Sequence, residues 1–274
     1  MWSNSKIKKI ALKFNDYFSV GIVGPKICVG YVGTDLYRHP CPAHEKINGG
    51  TQCKLCYQLD VNAVCSRCTG SGCDASSELQ SRCINTPTIV YIAGFKSGVL
   101  KVGVTRESRG LSRWLEQGAD FAVRLTTCPD GLKARKIEDF ISSNFGITKV
   151  VRRNKKKFFN STQYSFEWFK HELHKLFSKV RELFGCKISL DNIFNFEPFY
   201  GKNISVSPTE INIPRDLSDE IRVLGNIVAV KGSFVVLQYE KSHYLIDFSK
   251  AYGYHLNWQS QVAMKVQSSL EDFF

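Results

Sequence analysis

The stretch TIVYIAGFKSGVLKVGVTRESRGLSRWLEQGA, residues 88–119, decides the central fold of this chain. Its β-branched and aromatic run at 89–92 predicts a strand, and 100–105 predicts the return strand across a short turn containing glycine. One helix is predicted from about residue 108, and a second from about residue 132. The stretch therefore predicts a β-hairpin followed by helices.

Four side chains follow this pattern in order: Tyr91 and Lys101 ten residues apart on the two strands, then Arg113 and Glu138 on the two helices. The arrangement resembles the core of the GIY-YIG nuclease superfamily. Residues 90–92, Val-Tyr-Ile, represent the first element of its signature, and 101–103, Lys-Val-Gly, represent the second. Lys101 stands where the second tyrosine of the signature usually stands, so the chain resembles a variant branch.

The resemblance implies a catalytic set for phosphodiester hydrolysis. Glu138 would hold one magnesium or manganese ion, which suits a single carboxylate completed by waters. Tyr91 would orient the attacking water, Arg113 would bind the phosphate through its planar fork, and Lys101 would neutralise the same phosphate. Taken singly, each residue has a plainer interpretation: a packed aromatic, two surface cations, or a helix carboxylate paired with a neighbouring base.

Composition favours a polyanionic partner. The chain has 274 residues, 43% hydrophobic and 23% charged, with a formal charge of +12 and a pI near 9.2. These values indicate a globular protein that binds nucleic acid or, as the rival explanation, an acidic membrane surface. No apolar run is long enough to span a bilayer and the first residues lack a signal-peptide segment, which predicts a cytoplasmic, nucleoid-associated protein without membrane partners. The candidate phosphate contacts are Arg106, Arg152, Arg153, Lys155, Lys156 and Lys157.

Residues 38–87 predict a zinc-binding module. Apolar periodicity stops there, and seven of the ten cysteines cluster, including the turns Cys53-x-x-Cys56 and Cys65-x-x-Cys68. Such turns present two thiolates to one tetrahedral ion, and a cytoplasmic location favours metal over disulfides. The preferred division is into two structural zinc sites, formed by Cys41, His44, Cys53 and Cys56, and by Cys65, Cys68, Cys73 and Cys83.

A single zinc site formed by Cys53, Cys56, Cys65 and Cys68 is the simpler alternative. Cys28 and Cys128 lie outside the cluster, and their apolar or turn surroundings predict buried thiols that pack as small hydrophobic groups.

The fold class predicted for the whole chain is α+β. The predicted segments are a β meander (1–37), the zinc-binding module (38–87), a GIY-YIG-like α/β core (88–160), a long helix (161–186), a small antiparallel β domain (187–262) and a tail (263–274). The last β domain is expected to form strands at 223–230, 234–239, 244–248 and 254–258 and to join with the N-terminal meander. This arrangement of zinc ribbon, GIY-YIG-like core and small β domain also resembles an uncharacterised family of archaeal and bacterial proteins.

The chain ends in QSSLEDFF, in which Gln267, Leu270, Phe273 and Phe274 match the pattern Gln-x-x-aliphatic-x-x-aromatic-aromatic. This pattern resembles the PIP box, by which many replication and repair proteins bind a PCNA-type sliding clamp. A 3₁₀ turn would place the three apolar side chains on one side as a plug for an apolar pocket. The alternative is a tail that docks on its own domain.

Together these features predict a clamp-recruited, metal-dependent endonuclease that acts on branched DNA in repair or recombination. The second hypothesis is a non-catalytic nucleic-acid-binding zinc adaptor, and the third is an RNA-binding or ribosome-associated zinc protein whose tail match is accidental.

Overall fold

The structure, a computed structural model, describes residues 11–157, 159, 163–184, 192–201, 208–214, 217 and 219–258. Its strands, in chain order, are β1 (Tyr17–Val23), β2 (Tyr31–Val32), β3 (Arg38–His39), β4 (Thr88–Phe95), β5 (Val99–Arg106), β6 (Phe121–Cys128), β7 (Ile193–Asn195), β8 (Thr209–Ile211), β9 (Ile221–Lys231), β10 (Phe234–Tyr239), β11 (Ser242–Asp247) and β12 (His255–Asn257). Its α-helices are α1 (Lys54–Leu59), α2 (Asn62–Cys65), α3 (Ser77–Ile84), α4 (Gly110–Glu116), α5 (Gly131–Phe145), α6 (Arg153–Lys156) and α7 (Phe166–Phe184). The mixture is α+β, as predicted.

The predicted hairpin forms one half of a four-stranded antiparallel sheet, with the strand order β5-β4-β6-β7. Strand β4 is fully buried because a strand covers each of its edges and helices pack on the sheet. On one face, Val90 and Ile92 share a core with Ile141 of α5 and Phe169 of α7. The sheet therefore fixes α5, and with it Glu138, against the hairpin.

Strand β6 was not among the predicted elements, although it supplies the third strand of this sheet. It pairs with β4 along its length, from Thr88 opposite Cys128 to Gly94 opposite Phe121. Its sequence FAVRLTTC is rich in the β-branched and aromatic residues that suit strands. The sequence predicted that two helices follow each other directly, but β6 lies between α4 and α5 and pairs with β4 of the hairpin.

A six-stranded sheet, of order β12-β1-β9-β10-β11-β8, holds both ends of the described chain. The predicted C-terminal strands form β9 to β12, but the meander predicted for 1–37 pairs differently. Strand β1 lies between β12 and β9, with Phe18 opposite Gly225, and has no pairing with the two-residue strand β2. The apolar side chains of β1, Val20 and Ile22, complete the core of the C-terminal sheet, so burial selects the distant partner.

Within the described residues, no helix has the combination of length and apolar character needed to cross a bilayer. The residues predicted to bind a sliding clamp, Gln267, Leu270, Phe273 and Phe274, lie outside the described residues.

Candidate metal centre and phosphate site

Four buried cysteines, Cys28, Cys41, Cys53 and Cys56, bring their sulfur atoms within 4.8 Å of one another. The Sγ atoms of Cys41 and Cys53 are 3.9 Å apart. A sulfur tetrahedron around zinc, with bonds of about 2.3 Å, has edges of about 3.8 Å. The four thiols therefore fit a closed, structural zinc site.

Backbone N–H groups support these sulfur atoms. The N–H of Cys53 donates to Cys28 Sγ at 3.2 Å, and that of Gly30 donates to the same atom at 3.4 Å. Cys53 caps α1, and its sulfur accepts from the N–H of Cys56 at 3.4 Å. Backbone hydrogen bonding from Glu45 lowers the pKa of Cys41 to about 7, whereas burial raises the pKa of Cys56. N–H donors of this kind stabilise thiolates, which are the form that binds metal.

The fourth ligand position differs from the sequence prediction. His44, the predicted ligand, is exposed and adopts a positive φ of 45° in the turn that follows Cys41. Cys28 takes its place and is not only the packing thiol that the sequence suggested. Cys28 lies before residue 38, where the predicted zinc-binding module begins, whereas the other three cysteines lie within that module. The spacing Cys28-x₁₂-Cys41 is too long to indicate that these residues share a site. The local signal for Cys28 is the short turn Cys28-Val-Gly. In this turn the N–H of Gly30 points back at the Cys28 sulfur.

The other four predicted cysteine ligands lie apart from this centre. Cys65, Cys68, Cys73 and Cys83 are partly buried and all line one cavity of about 850 Å³. Burial raises the pKa of Cys65 and of Cys83, and the neighbouring thiols add to the rise. The single-site alternative, which joined Cys53 and Cys56 to Cys65 and Cys68, does not match this division. Among the described residues, three or more metal-ligand atoms lie within 4.8 Å of one another only in the Cys28 group.

The cysteine-lined wall of this cavity packs against α5. A side chain at Gly131, the first residue of α5, would place its Cβ 2.5 Å from Cys83 Sγ. Gly70, at a φ of +84°, would likewise meet the backbone of α5 at Leu132 and Lys136, at 2.7 and 2.8 Å. The second cysteine group is therefore held against the N-terminal turns of the helix that carries Glu138.

Two contacts join three of the predicted catalytic residues: Lys101 Nζ lies 5.9 Å from the centre of the Tyr91 ring, and Gln117 contacts both Tyr91 and Arg113. After burial, which is the largest cause of each shift, Arg113 lowers the pKa of Tyr91 and of Lys101, and Glu138 raises both. The net result is a raised pKa for Tyr91 and a pKa of about 8 for Lys101. Tyr91, Lys101 and Arg113 thus lie together, and Glu138 is near enough for its charge to act on Tyr91 and Lys101.

Gln117, which belongs to none of the predicted motifs, joins two of these residues. With its amide oxygen assigned toward Arg113, it accepts from Arg113 Nε at 2.7 Å, and its nitrogen donates to the Tyr91 hydroxyl at 3.2 Å. Gln117 follows Arg113 by one helical turn at the end of α4, which is the spacing that could have identified it. The amide fixes both side chains relative to each other.

Gly103 makes room for Tyr91. The two residues lie opposite each other on β5 and β4, and a Cβ at position 103 would come 2.5 Å from the Tyr91 hydroxyl oxygen. Only glycine therefore leaves the tyrosine in place. This glycine closes the second signature-like element, and the structure gives its physical reason.

Lys101 and Glu138 are 9% and 4% exposed, respectively. Lys101 Nζ donates to the Lys149 carbonyl oxygen at 2.7 Å and lies 5.9 Å from the centre of the Tyr91 ring. Glu138 pairs with Arg135 across 2.9 Å. Arg135, which is 30% exposed in its side chain, therefore supplies a counter-charge to the buried carboxylate.

In the folded protein, the basic residues predicted at 152–157 face different surroundings. Arg153 faces Asp247 at 3.9 Å, and Lys157 pairs with Glu210. Burial lowers the pKa of Lys156, with Arg113 as the next cause, and the charge of Lys156 in turn acts on Lys101. Lys156 is thus near enough to Arg113 and Lys101 for the charges to act on one another. The other predicted phosphate contacts lie elsewhere: Arg152 and Lys155 are exposed, and Arg106 lines the cysteine cavity.

These features define an α+β protein with a cysteine-rich module that includes a buried four-cysteine group able to hold a zinc ion. A family model described as "Protein of unknown function (DUF2797)" matches residues 20–256, and the chain belongs to that family. No curated protein and no solved structure matches it.

Proposed function

We propose that the protein is a metal-dependent, structure-selective DNA endonuclease that acts in repair or recombination. The observation that supports this proposal is that Lys101 Nζ lies 5.9 Å from the centre of the Tyr91 ring and that Gln117 links Tyr91 to Arg113, with the charge of Glu138 acting on Tyr91 and Lys101. These residues span 47 positions and follow one another along the chain in the order that the GIY-YIG resemblance implies. The net charge of +12 supports a polyanionic substrate.

Each side chain has a role in such a reaction. Arg113, held by Gln117, contacts the scissile phosphate and opposes the charge that develops on it. Tyr91 orients the attacking water, and Lys101 adds a second positive charge. A magnesium or manganese ion, when bound, would polarise the phosphate and lower the pKa of a bound water. Glu138 is the carboxylate for that ion, and it becomes available when Arg135 releases it toward a phosphate.

Cleavage of branched DNA by the full-length, zinc-loaded protein tests this proposal. Activity is expected with magnesium or manganese, and Glu138→Gln should reduce it by at least 100-fold, about 3 kcal/mol in transition-state stabilisation. Glu172→Gln is the matched control, because Glu172 lies on α7 and pairs with Lys175 on the same helix. No cleavage by the wild-type protein, or equal cleavage by Glu138→Gln, contradicts the enzyme proposal.

A non-catalytic nucleic-acid-binding adaptor is the second candidate, and one observation favours it. Tyr91 is 1% exposed, and Glu138 is 4% exposed and paired with Arg135, so the site as it stands presents cations rather than a nucleophile-activating pair. Binding of DNA or RNA without cleavage in either metal selects this function. Preference for RNA over DNA of the same sequence selects the RNA- or ribosome-associated form.

Recruitment by a PCNA-type sliding clamp is part of the proposal and rests on the sequence of the tail. Gln267, Leu270 and the two terminal phenylalanines would occupy the clamp's apolar pocket, which would raise the local concentration of the protein on nucleoid DNA. Clamp capture should be lost in Phe273→Ala/Phe274→Ala and retained in Ser268→Ala, which changes a variable position of the same motif. Equal capture by both variants removes the recruitment proposal.

A second structural zinc ion at Cys65, Cys68, Cys73 and Cys83 completes the proposal. It is supported by the convergence of these thiols on one cavity. Metal analysis of the purified protein should find two zinc equivalents, reduced to one in Cys68→Ser. A single equivalent that is unaffected by Cys68→Ser assigns the ion to the Cys28 group alone.

A further inference from the structure

The cavity lined by the second cysteine group is also lined by six arginines: Arg67, Arg82, Arg106, Arg109, Arg113 and Arg135. We name it the arginine cavity. Asp74 is the one carboxylate among the lining residues in the part of the chain that the structure describes. A volume of about 850 Å³ leaves room for more than one phosphate group.

Three of the six arginines have an acidic partner. Arg109 pairs with Glu116 at 2.8 Å, Arg113 lies 3.9 Å from the same carboxylate, and Arg135 pairs with Glu138 at 2.9 Å. Arg82 and Arg106, by contrast, pair with no carboxylate among the residues that the structure describes.

Crowding of like charge is visible at Arg106. Burial lowers its pKa, and the positive charges of Arg82 and Arg109 lower it further. The Arg106 guanidinium is thus repelled by those of Arg82 and Arg109 at one end of the cavity. An anion bound between these groups would relieve the repulsion.

Zinc-bound cysteines would not neutralise the positive charge of the six arginines. Four thiolates and one zinc ion carry a net charge of −2. Set against the six arginines and Asp74, they leave a surplus of about three positive charges among the lining groups. The carboxylates that pair with Arg109 and Arg135 offset part of this surplus, but the cavity stays cationic at Arg82 and Arg106. The arginines therefore exceed what a loaded zinc site needs as counter-charge.

The cavity adjoins the site of Tyr91 through two of its arginines. Arg113 is linked to the Tyr91 hydroxyl through Gln117, and Arg135 pairs with Glu138. An extended anion that enters at Arg82 and Arg106 can therefore contact Arg113, next to Tyr91, Lys101 and Glu138, which are themselves 1%, 9% and 4% exposed.

We propose that the arginine cavity binds the backbone phosphates of a nucleic-acid strand that flank the phosphodiester held at Tyr91 and Arg113. The inference rests on the proposed nucleic-acid function and names the subsite that holds the strand. Guanidinium forks match phosphate oxygens in pairs, and this explains arginine rather than lysine at all six positions. The contacts are to backbone and carry no base specificity.

The test measures binding without turnover. Full-length, zinc-loaded protein is titrated into fluorescein-labelled branched DNA in calcium, and Kd is determined by anisotropy over a series of salt concentrations. Arg82→Gln/Arg106→Gln should bind at least 10-fold more weakly than wild type. The slope of log K against log salt should fall by roughly 0.9 for each phosphate that the variant no longer neutralises. Arg124→Gln is the matched control, because Arg124 pairs with Glu107 outside the cavity lining and should change neither quantity.

Zinc content and thermal unfolding of each variant show whether the protein remains folded. If Arg82→Gln/Arg106→Gln retains its zinc and folds but binds DNA as the wild type does, the proposal is wrong. It is also wrong if the wild type binds no DNA, or if the variant releases zinc, since the arginines would then serve the cysteines alone. Should the variant fold poorly, the milder Arg82→Lys/Arg106→Lys, which keeps the charge, must give intermediate affinity with an unchanged salt slope.

The outcome is separable from that of the enzyme proposal. Glu138→Gln, assayed in parallel for cleavage in magnesium, tests the enzyme proposal alone. Weakened binding by the arginine variant in a protein that never cleaves supports the cavity and contradicts only the nuclease.

Discussion

Lys231 and Asp120 form a buried ion pair between the two sheets, with Lys231 Nζ 2.6 Å from Asp120 Oδ1. Asp120 precedes β6 of the four-stranded sheet, and Lys231 ends β9 of the six-stranded sheet. The Asp120 carboxylate also accepts the N–H of Lys96 at 2.8 Å. Both side chains are almost fully buried, so each charge depends on the other for compensation.

Removing one partner of this pair should therefore lower the free energy of unfolding far more than removing both. Asp120→Ala leaves the Lys231 ammonium buried without its carboxylate, and the expected loss is about 3–5 kcal/mol in the free energy of unfolding. Asp120→Asn/Lys231→Met removes both charges and should cost clearly less. Urea unfolding of the two proteins checks this. Equal losses would show that the pair does not couple the sheets electrostatically.

The structure and the sequence disagree on one metal ligand, and metal analysis can decide between them. Cys28→Ser should lose one zinc equivalent and melt at a markedly lower temperature, because the closed site then has three thiolates. His44→Ala should keep its zinc and its melting temperature, since His44 is exposed. Loss of zinc in His44→Ala with retention in Cys28→Ser would restore the sequence-based ligand set.

Gly103→Ala tests the fit between β5 and Tyr91. The added methyl group would stand 2.5 Å from the tyrosine hydroxyl oxygen, so Tyr91 must leave its contact with Gln117. We expect a loss of about 1–3 kcal/mol in the free energy of unfolding, typical of overpacking, together with loss of any cleavage activity. Gly49→Ala is the control, as nothing lies within 4 Å of a Cβ at that position. Equal stability of the two variants would contradict the close contact.

Burial of Lys101 predicts a pH dependence of stability. Its folded pKa is about 8, below the ordinary value of 10.5, with burial as the first cause. Between these values the unfolded chain holds a proton that the folded protein has released. The free energy of unfolding due to this group therefore rises with pH above about 8, by roughly 1.4 kcal/mol per unit.

Comparison with Lys101→Met isolates this contribution. Between pH 7.5 and pH 9.5, the wild type should gain about 2 kcal/mol relative to the variant, measured by urea unfolding. Lys175→Met, at a position 59% exposed in its side chain, should follow the wild type at both pH values. Parallel behaviour of wild type and Lys101→Met would show that Lys101 titrates normally in the fold.

Local sequence was sufficient for the elements that depend on short-range pattern. The hairpin of β4 and β5 and the strands β9 to β11 form close to where alternation and turn residues place them. The Cys53-x-x-Cys56 turn likewise caps α1 as its spacing suggests, because two thiols three residues apart can face one ion without help from the rest of the chain.

The sequence alone therefore determined the α+β class, the cysteine-rich module and the order of Tyr91, Lys101, Arg113 and Glu138 along the chain. Only the tertiary structure decided which distant residues meet: β1 with β9, Cys28 with Cys41, Gln117 between Tyr91 and Arg113, and six arginines around one cavity. The physical reason is that pairing and ligation across long separations are selected by burial and charge compensation in the folded core. No local periodicity records those contributions.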